Sequence, residues 1–501
     1  MTRILIVGSG PTGAAYARLL TEALPSAEVV MVDAGPVLTD PPGMNVKNLT
    51  DPAAQAAARD ASQGPAGTAG VSGIPGGSVA EGTVTARHGT HLIGGPADGS
   101  AGMPAAAVST CVGGQGAHWT CATPRPTGTE RIAFIDPSEW DEHITEAERL
   151  LHTTGSAFAE SPQADAVLEL LTEAFPDVPV RRLPIAADPR PDGTLRWSGT
   201  DVVLGRPPEN TFTLRPRTLC TRLLVTGNKV TGATLQDLDT GTSYELEADA
   251  VVVAADALRT PRLLWASGIR PPALGRYLTE HPLLFGVVAV RPGILPAAQA
   301  RRIDPITAAV NLGYSDAEHP FHAQLMFSPT CPVPLPPGHP QAGNAAGYIG
   351  MGWGVRKWPR PDDRVTFDDH APDATGLPAI RIAYELTERE TAELERARSV
   401  AMRVAALFGD FLPGMPRVMP PGSSLHYMGT YRIGPADDGT SVCDSYSRPW
   451  GIEGLVLAGN GLIPTANACN PTLTSVALAV RGARALAESA REGGAARVSA
   501  G

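Results

Sequence analysis

A glycine-rich turn between a strand and a helix near the N-terminus constrains the fold more than any other feature of this sequence. Residues 3–7 are a short apolar run typical of a buried parallel strand. The sequence GSGPTG follows at once (residues 8–13), and residues 14–23 predict a helix. A second apolar strand at 29–32 ends in Asp33. This order predicts a βαβ unit that opens an α/β domain with a doubly wound, Rossmann-like parallel sheet.

The spacing within this unit gives each position a role in dinucleotide binding. The first glycine makes the tight turn, the second lets backbone N–H groups approach a pyrophosphate, and the third lets helix and strand pack closely. The acid twenty residues after the third glycine accepts a hydrogen bond from a ribose hydroxyl. The turn alone distinguishes neither FAD from NAD nor a dinucleotide site from a purely structural turn. The predicted contacts are Gly8, Gly10, Pro11, Thr12, Gly13, Asp33 and Ala34.

Length, charge and cysteine usage exclude several classes of protein. A chain of 501 residues exceeds a single hydrophobic core, so we expect at least two domains. A net charge of −11 disfavours a nucleic-acid partner, since phosphate binding needs a positive surface. No apolar run approaches the roughly 20 residues of a membrane-spanning helix. The six cysteines lack the spacing of zinc sites or disulfide frameworks. We therefore expect a cytoplasmic protein without a membrane partner.

The rest of the chain alternates between α/β and antiparallel patterns. Residues 41–107 contain few large apolar residues and predict a long excursion or lid. Short strands at 213–216, 221–226, 229–237 and 243–247 predict a β-meander. Strand patterns at 283–328 and 346–386 predict a second, α+β domain with an antiparallel sheet. Predicted helices cover 260–267, 388–407 and 473–487. A proline-rich stretch within 329–345 is a second candidate lid.

Three further segments carry a family resemblance. They are AADALRTPRLLWASGI (254–269), NGLIPTANACNPTLTSVALA (460–479) and GGQGAHWTCATPR (113–125), supplemented by LHYMGTYRIG (425–434). Together with the N-terminal turn, they resemble the glucose–methanol–choline (GMC) flavin oxidoreductases. The third and fourth segments are similar to the branch of pyranose 2-oxidases and bacterial glycoside 3-oxidases. The resemblance implies FAD as the cofactor.

The resemblance also implies how the chain divides into domains. The FAD-binding domain would comprise residues 1–130, with the excursion 41–107, then 206–280 and 426–501. The substrate domain would comprise most of 131–205 and then 281–425.

A histidine and an asparagine are the catalytic pair that the resemblance implies. His426 and Asn470 match the family's catalytic positions. Oxidation of a secondary alcohol requires removal of the O–H proton as hydride leaves carbon for flavin N5, and a neutral imidazole is a suitable base. Asn470 can hold the developing alkoxide without competing for the proton.

The resemblance adds further contacts to the FAD. Thr120 would lie near flavin N5, and His118 matches the residue that bonds the flavin covalently in fungal relatives. Because Gly116 and Ala117 depart from the family pattern, attached and unattached FAD both remain open. Tyr431 replaces a second histidine, and Asp256 interrupts a small-residue pattern. The added contacts are Gly113, Gly114, His118, Trp119, Thr120, Asn460, Gly461, Pro471 and Thr472.

The expected reaction is oxidation of a pyranose sugar or glycoside at C2 or C3 to a keto-sugar. O2, giving H2O2, or a quinone would reoxidise the flavin. The alternatives are a family member that oxidises a non-sugar alcohol and a flavoprotein without activity. The remaining histidines show no ligand spacing, so we expect them in solvent or in the core and no metal site; they are His88, His91, His143, His152, His281, His319, His322, His339 and His370.

Overall fold

The computed structural model describes most of the chain. The described residues are 2–62, 89–93, 102–296, 306–316, 319–333, 335 and 338–499, with short strands at 79–80, 83–84 and 95–96. Much of the excursion 41–107, with His88, therefore lies outside the described residues. Its described part contains a 3-10 helix, Val46–Asn48, and a helix, Pro52–Ala61. Both candidate lids fall partly outside, and their closure remains a prediction.

A five-stranded parallel sheet confirms the predicted α/β fold. Its strands, in spatial order, are Phe212–Arg215, Glu28–Val32, Arg3–Val7, Ala250–Val253 and Leu455–Leu457. Helices Pro11–Ala23 and Pro471–Ser499 pack together, with Pro11–Ala23 on the strands. An antiparallel meander, Thr218–Thr226, Lys229–Asp237 and Ser243–Glu247, also packs on the sheet. The inner strands carry continuous buried apolar runs, at 4–7, 29–32, 250–253 and 455–457, as expected where both faces are covered, whereas the edge strand Phe212–Arg215 is partly exposed.

One predicted strand belongs to a different sheet from the one that the sequence indicates. The sequence predicts 213–216 as the first strand of the meander, whereas Phe212–Arg215 pairs in parallel with Glu28–Val32. The meander begins only at Thr218, after a turn in which Arg217 has a φ of 52°. Residue alternation predicts a strand, but it does not reveal which neighbour the strand pairs with.

A large antiparallel sheet forms the second layer, as predicted. Its main strands, in spatial order, are Gly409–Phe411, Leu283–Val290, Tyr348–Val355, Phe321–Ser328, Ala308–Leu312 and Val180–Arg182, and Arg417–Val418 also pairs with Leu283–Val290. Helices Pro162–Ala174 and Glu388–Phe408 pack on it. The prediction that 346–386 belongs wholly to this sheet is wrong, because Arg364–Pro372 and Pro378–Ala383 form a separate hairpin joined by Gly95–Pro96.

The remaining elements connect these layers. The helices are Pro137–Leu151, Thr200–Leu204 and Asp256–Ala266, with 3-10 turns at Gly114–Ala117, Gly128–Glu130 and Asn460–Leu462. Small strands are Val79–Ala80, Thr83–Val84, His91–Leu92, Ala107–Val108, Thr153–Thr154, Ile185–Pro189 and Leu195–Trp197. Within the described chain, no helix has the length and apolar character needed to cross a membrane. The domain boundaries remain predictions.

Candidate active site

The predicted glycine turn lies at the carboxyl end of the strand Arg3–Val7. Gly8 has a φ of +102°, and a Cβ added there would overlap the backbone carbonyl of Ala254. A Cβ at Gly13 would overlap the carbonyl of Gly8. A Cβ at Gly10, in contrast, would meet nothing within 4 Å. Two of the glycines are therefore required by packing, and the middle one leaves space at the N-terminus of a helix, where an anion is favoured.

Asp33 is held beside this turn by hydrogen bonds. Its Oδ2 accepts from the Ser9 backbone N–H (3.0 Å) and hydroxyl (2.6 Å), and its Oδ1 accepts from Gly35 N–H (2.8 Å). Burial raises the pKa of the Asp33 carboxyl, and the Ser9 hydroxyl counteracts this. The same hydroxyl accepts from Gly113 N–H at 2.8 Å. Ser9 thus links the turn, the acid and the second glycine-rich segment.

One cavity of about 640 Å³ joins the glycine turn to the predicted catalytic pair. Its walls are more apolar than polar, and they also carry charged and polar side chains such as Asp33, Arg259 and His426, a combination that suits a cofactor site. Of the sequence-predicted residues, those that line it are Gly8, Gly10, Pro11, Thr12, Asp33, Ala34, Gly114, Trp119, Thr120, Asn460, Thr472, His426 and Asn470. The open space at Gly10, the half-buried carboxyl of Asp33 and the cavity volume fit a dinucleotide.

The other predicted contacts are Gly13, Gly113, His118, Gly461 and Pro471, which do not line this cavity. Gly461 packs so closely on the ring of Tyr431 that a Cβ would overlap it, and Pro471 begins a helix. The Nε2 atom of His118 lies 3.8 Å from Cys111 Sγ. These residues lie outside the cavity lining. Tyr431, which stands where the family often has a second histidine, is a core residue whose hydroxyl donates to the Ala458 carbonyl at 3.0 Å.

His426 contacts a second histidine that the sequence did not indicate. Nδ1 of His426 lies 3.0 Å from Nδ1 of His281, with the two rings nearly perpendicular at 74°. The segments that carry them are joined by reciprocal backbone hydrogen bonds between Thr279 and Met428, 3.0 and 2.8 Å long. Before His426, Leu425 has a left-handed φ of 61°. This geometry fixes the position at which His426 enters the cavity.

The buried carboxyl of Glu280, next to His281, holds the segment that precedes His426. Glu280 accepts from the Gly422 N–H (2.5 Å) and from the Ser424 hydroxyl (2.9 Å). The Ser424 hydroxyl in turn accepts from the backbone N–H of His426 at 3.2 Å. Burial raises the pKa of Glu280 to about 7, although both hydrogen bonds lower it.

Asn470 is oriented by a strand of the antiparallel sheet. Gln324 donates from Nε2 to the Asn470 Oδ1. The preceding loop is held by Glu130, whose Oε1 accepts from the N–H groups of Ala468 (3.0 Å) and Cys469 (2.9 Å). The other oxygen of Glu130 lies 3.1 Å from Nε2 of His322. Because Gln324 occupies the amide oxygen, Asn470 is left with its NH2 group to donate.

Glu130, His322 and Cys469 could also be considered as a metal site. Their potential ligand atoms lie within 4.8 Å of one another, the one such group that the described part of the chain contains. However, the Cys469 thiol donates to the Pro124 carbonyl at 3.0 Å, and burial raises its pKa well above the ordinary value. A thiol must lose its proton to bind a metal. We interpret the group as a hydrogen-bonded support for Asn470.

Sequence reasoning missed other residues of the cavity. Arg259 lines it, pairs with Asp256 at 2.5 Å and donates to the Thr110 hydroxyl at 3.0 Å. Asp256, which interrupts the small-residue pattern of the family, adopts a left-handed φ of 68°. Arg259 places a cation close enough to Asp33 to oppose the rise in its pKa.

The chain is similar in sequence to known flavin-dependent oxidoreductases. Residues 189–283 and 359–479 match the two GMC oxidoreductase regions. C-glycoside 3-oxidases of Microbacterium trichothecenolyticum and Arthrobacter globiformis are 46% and 44% identical, each over 97% of this chain and over 96% and 95% of their own length. Pyranose 2-oxidase of Tricholoma matsutake is 30% identical over 97% of this chain and 93% of its own.

A solved structure shares the fold. Pyridoxine 4-oxidase from Mesorbium loti has a TM-score of 0.67 at 20% identity, covering 97% of this chain and 99% of that one. From the matched regions and the relatives, the chain belongs to the GMC oxidoreductase family and is an oxidoreductase with FAD as its cofactor.

Proposed function

We propose that this protein oxidises a ring secondary alcohol of a sugar or glycoside to the keto-sugar. The observation that carries the proposal is the presence of His426 and Asn470 in the same cavity as the glycine turn and Asp33. The names of the relatives supply the substrate class. Since the two most identical of those described are C-glycoside 3-oxidases, we favour C3 over C2 and glycosides over free sugars.

His426 and Asn470 would divide the work on the substrate hydroxyl. His426 accepts the O–H proton on its imidazole as the C–H bond breaks. Asn470 donates from its NH2 group to the oxygen on which negative charge develops, because Gln324 already occupies its carbonyl oxygen. FAD, when bound, supplies the hydride-accepting chemistry. Gly8 to Thr12, Asp33, Gly114 and Thr120 would hold it.

The test is anaerobic mixing of the purified yellow protein with an aryl C-glycoside and, separately, with glucose. We expect the substrate to bleach the flavin band at about 450 nm. Air should restore the band with release of H2O2, and NMR should show a 3-keto product. His426→Gln is the matched control: it should retain the yellow colour and lose the bleaching. Return only with a quinone would instead identify a dehydrogenase.

Other outcomes would replace this proposal. If neither sugar bleaches the flavin while a sterol or aryl alcohol does, the substrate is a non-sugar alcohol. If only dithionite bleaches it, the protein is a flavoprotein without alcohol-oxidising activity. We also propose a cytoplasmic location, in keeping with the six cysteines, none of which forms a disulfide bond in the described structure.

We further propose that FAD is bound without a covalent link. His118 does not line the cavity, and its Nε2 faces the Cys111 thiol. Acid precipitation of the yellow protein should therefore release the flavin into the supernatant. Yellow colour that stays in the pellet would show a covalent bond, with His118→Ala identifying the attachment residue.

A further inference from the structure

His281 is a buried histidine that contacts the imidazole of His426. Its Nδ1 points at Nδ1 of His426 from 3.0 Å, and its side chain is 3% exposed. His281 lies just before the strand Leu283–Val290 of the antiparallel sheet, whereas His426 follows the strained Leu425. The two rings thus meet where the sheet and the His426 segment join.

A hydrogen bond between two Nδ1 atoms allows two proton arrangements. In the first, Nδ1 of His426 carries a proton and donates a hydrogen bond to Nδ1 of His281, so that the basic lone pair of His426 is the one on Nε2. In the second, His281 donates, and neutral His426 holds its proton on Nε2, where it cannot act as a base. Only the first arrangement also suits the imidazolium formed after proton transfer, since that cation must donate from Nδ1.

The surroundings of His281 keep it neutral and therefore able to accept. The ionisable side chains that act on it are His426 and His322, and neither favours a positive charge on it. The adjacent Glu280 side chain is engaged by Gly422 and Ser424 instead. Burial lowers the pKa of His281 well below the ordinary value. No described residue hydrogen-bonds to Nε2 of His281, the atom that carries the proton when Nδ1 accepts, so the contact with His426 is the one hydrogen bond of this ring among the described residues.

We propose that His281 is a positioning residue that accepts the Nδ1 proton of His426 and thereby fixes the tautomer in which His426 Nε2 is a base. This inference rests on the proposed role of His426. His281 does not itself contact the substrate hydroxyl in this scheme. A third group that orients the base is a recurring arrangement in enzymes.

The first test reads the tautomer directly and needs no substrate. The holoenzyme, labelled with 15N-histidine, is compared with His426→Gln to assign the His426 signals. We expect a protonated Nδ1 and an unprotonated Nε2 in the wild type, and a mixture of tautomers in His281→Leu. A wild-type His426 protonated on Nε2 would overturn the proposal, whatever the substrate of the enzyme is.

The second test measures flavin reduction against pH. His281→Leu should reduce flavin about 10- to 100-fold more slowly, a part of the whole contribution of a general base, and the kinetic pKa of the base should fall because its cation loses an acceptor. His281→Asn, whose amide oxygen can accept, should restore most of the rate. His143→Leu removes another buried histidine as the control.

The outcomes separate the two proposals. Equal losses in His281→Leu and His281→Asn with an unchanged pH profile would show a purely structural role. A wild type that no sugar or glycoside reduces would refute the proposed function, and the tautomer measurement would still decide the role of His281.

Discussion

The two ends of the cavity are built in different ways. At the proposed nucleotide end, the turn 8–13 and Asp33 lie in a single βαβ unit. At the proposed catalytic end, His426 meets His281 across 145 positions and Asn470 meets Gln324 across 146. The nucleotide end depends on backbone conformation and close packing, whereas the catalytic end depends on side-chain hydrogen bonds between distant segments.

The two ends of the cavity should therefore respond differently to substitution. Where the backbone packs on itself, as at Gly8 and Gly13, there is no room for an added side-chain atom. Substitutions at this end should therefore affect folding or cofactor binding. A site made from paired side chains can lose its chemistry while the fold and the flavin remain.

Glycine substitutions should have the largest effect and would show whether the nucleotide end is as rigid as its geometry indicates. Gly8→Ala places a Cβ against the Ala254 carbonyl at a left-handed φ. We expect little folded protein, because the strain of about 1–3 kcal/mol adds to the overlap. Gly10→Ala is the matched control: its apoprotein should unfold at the wild-type temperature but bind FAD more weakly. Normal FAD binding by Gly10→Ala would place the pyrophosphate elsewhere.

A single substitution at Gln324 should slow flavin reduction without weakening FAD binding. In Gln324→Glu the new carboxylate cannot donate, so the Asn470 amide turns to donate to it and presents its oxygen to the substrate. We expect flavin reduction to slow by about 10- to 100-fold, since one donor to the developing charge is lost, with FAD affinity unchanged. Gln324→Met, which neither donates nor accepts strongly, should have a smaller effect. A wild-type rate in Gln324→Glu would contradict the inferred orientation of Asn470.

The smallest expected effect concerns stability against pH. Burial raises the pKa of Glu280 to about 7, so the folded protein holds this proton more tightly than the unfolded chain. The free energy of unfolding should therefore fall as pH rises from about 4.5 towards 7, and then stop changing through this group. Glu280→Gln should flatten that slope in urea titrations and be relatively more stable above pH 7. An unchanged slope would show that Glu280 is ionised throughout.

The sequence could predict the nucleotide end because its information is local. A strand, three spaced glycines and an acid fall within thirty-odd residues and imply one backbone shape. Four of the five parallel strands are readable for the same reason, as continuous apolar runs. Thr213 to Pro216 were misassigned because residue alternation carries no record of the partner strand.

The supports of the catalytic pair could not be predicted, because nothing near them in sequence indicates their role. His281 and His322 were expected in solvent or core; both are buried, but His281 lies against His426 and His322 against Glu130. Gln324 and Glu130 stand in unremarkable strand and loop sequences. Their function arises only when segments more than a hundred residues apart meet. The roles of His426 and Asn470 themselves remain predictions.

Gly354 shows what this construction implies for substrate choice. It lies in the strand Tyr348–Val355, paired with Leu283 on one side and His322 on the other. A Cβ there would stand 3.1 Å from the Ala468 carbonyl and 3.3 Å from Nδ1 of His281. His281 and the loop that leads to Asn470 therefore both pack against Gly354, where the sheet has no side chain. If His426 and Asn470 act as proposed, their supports meet at one position of the sheet, and the choice between neighbouring ring carbons would then depend on how the cavity walls orient the sugar.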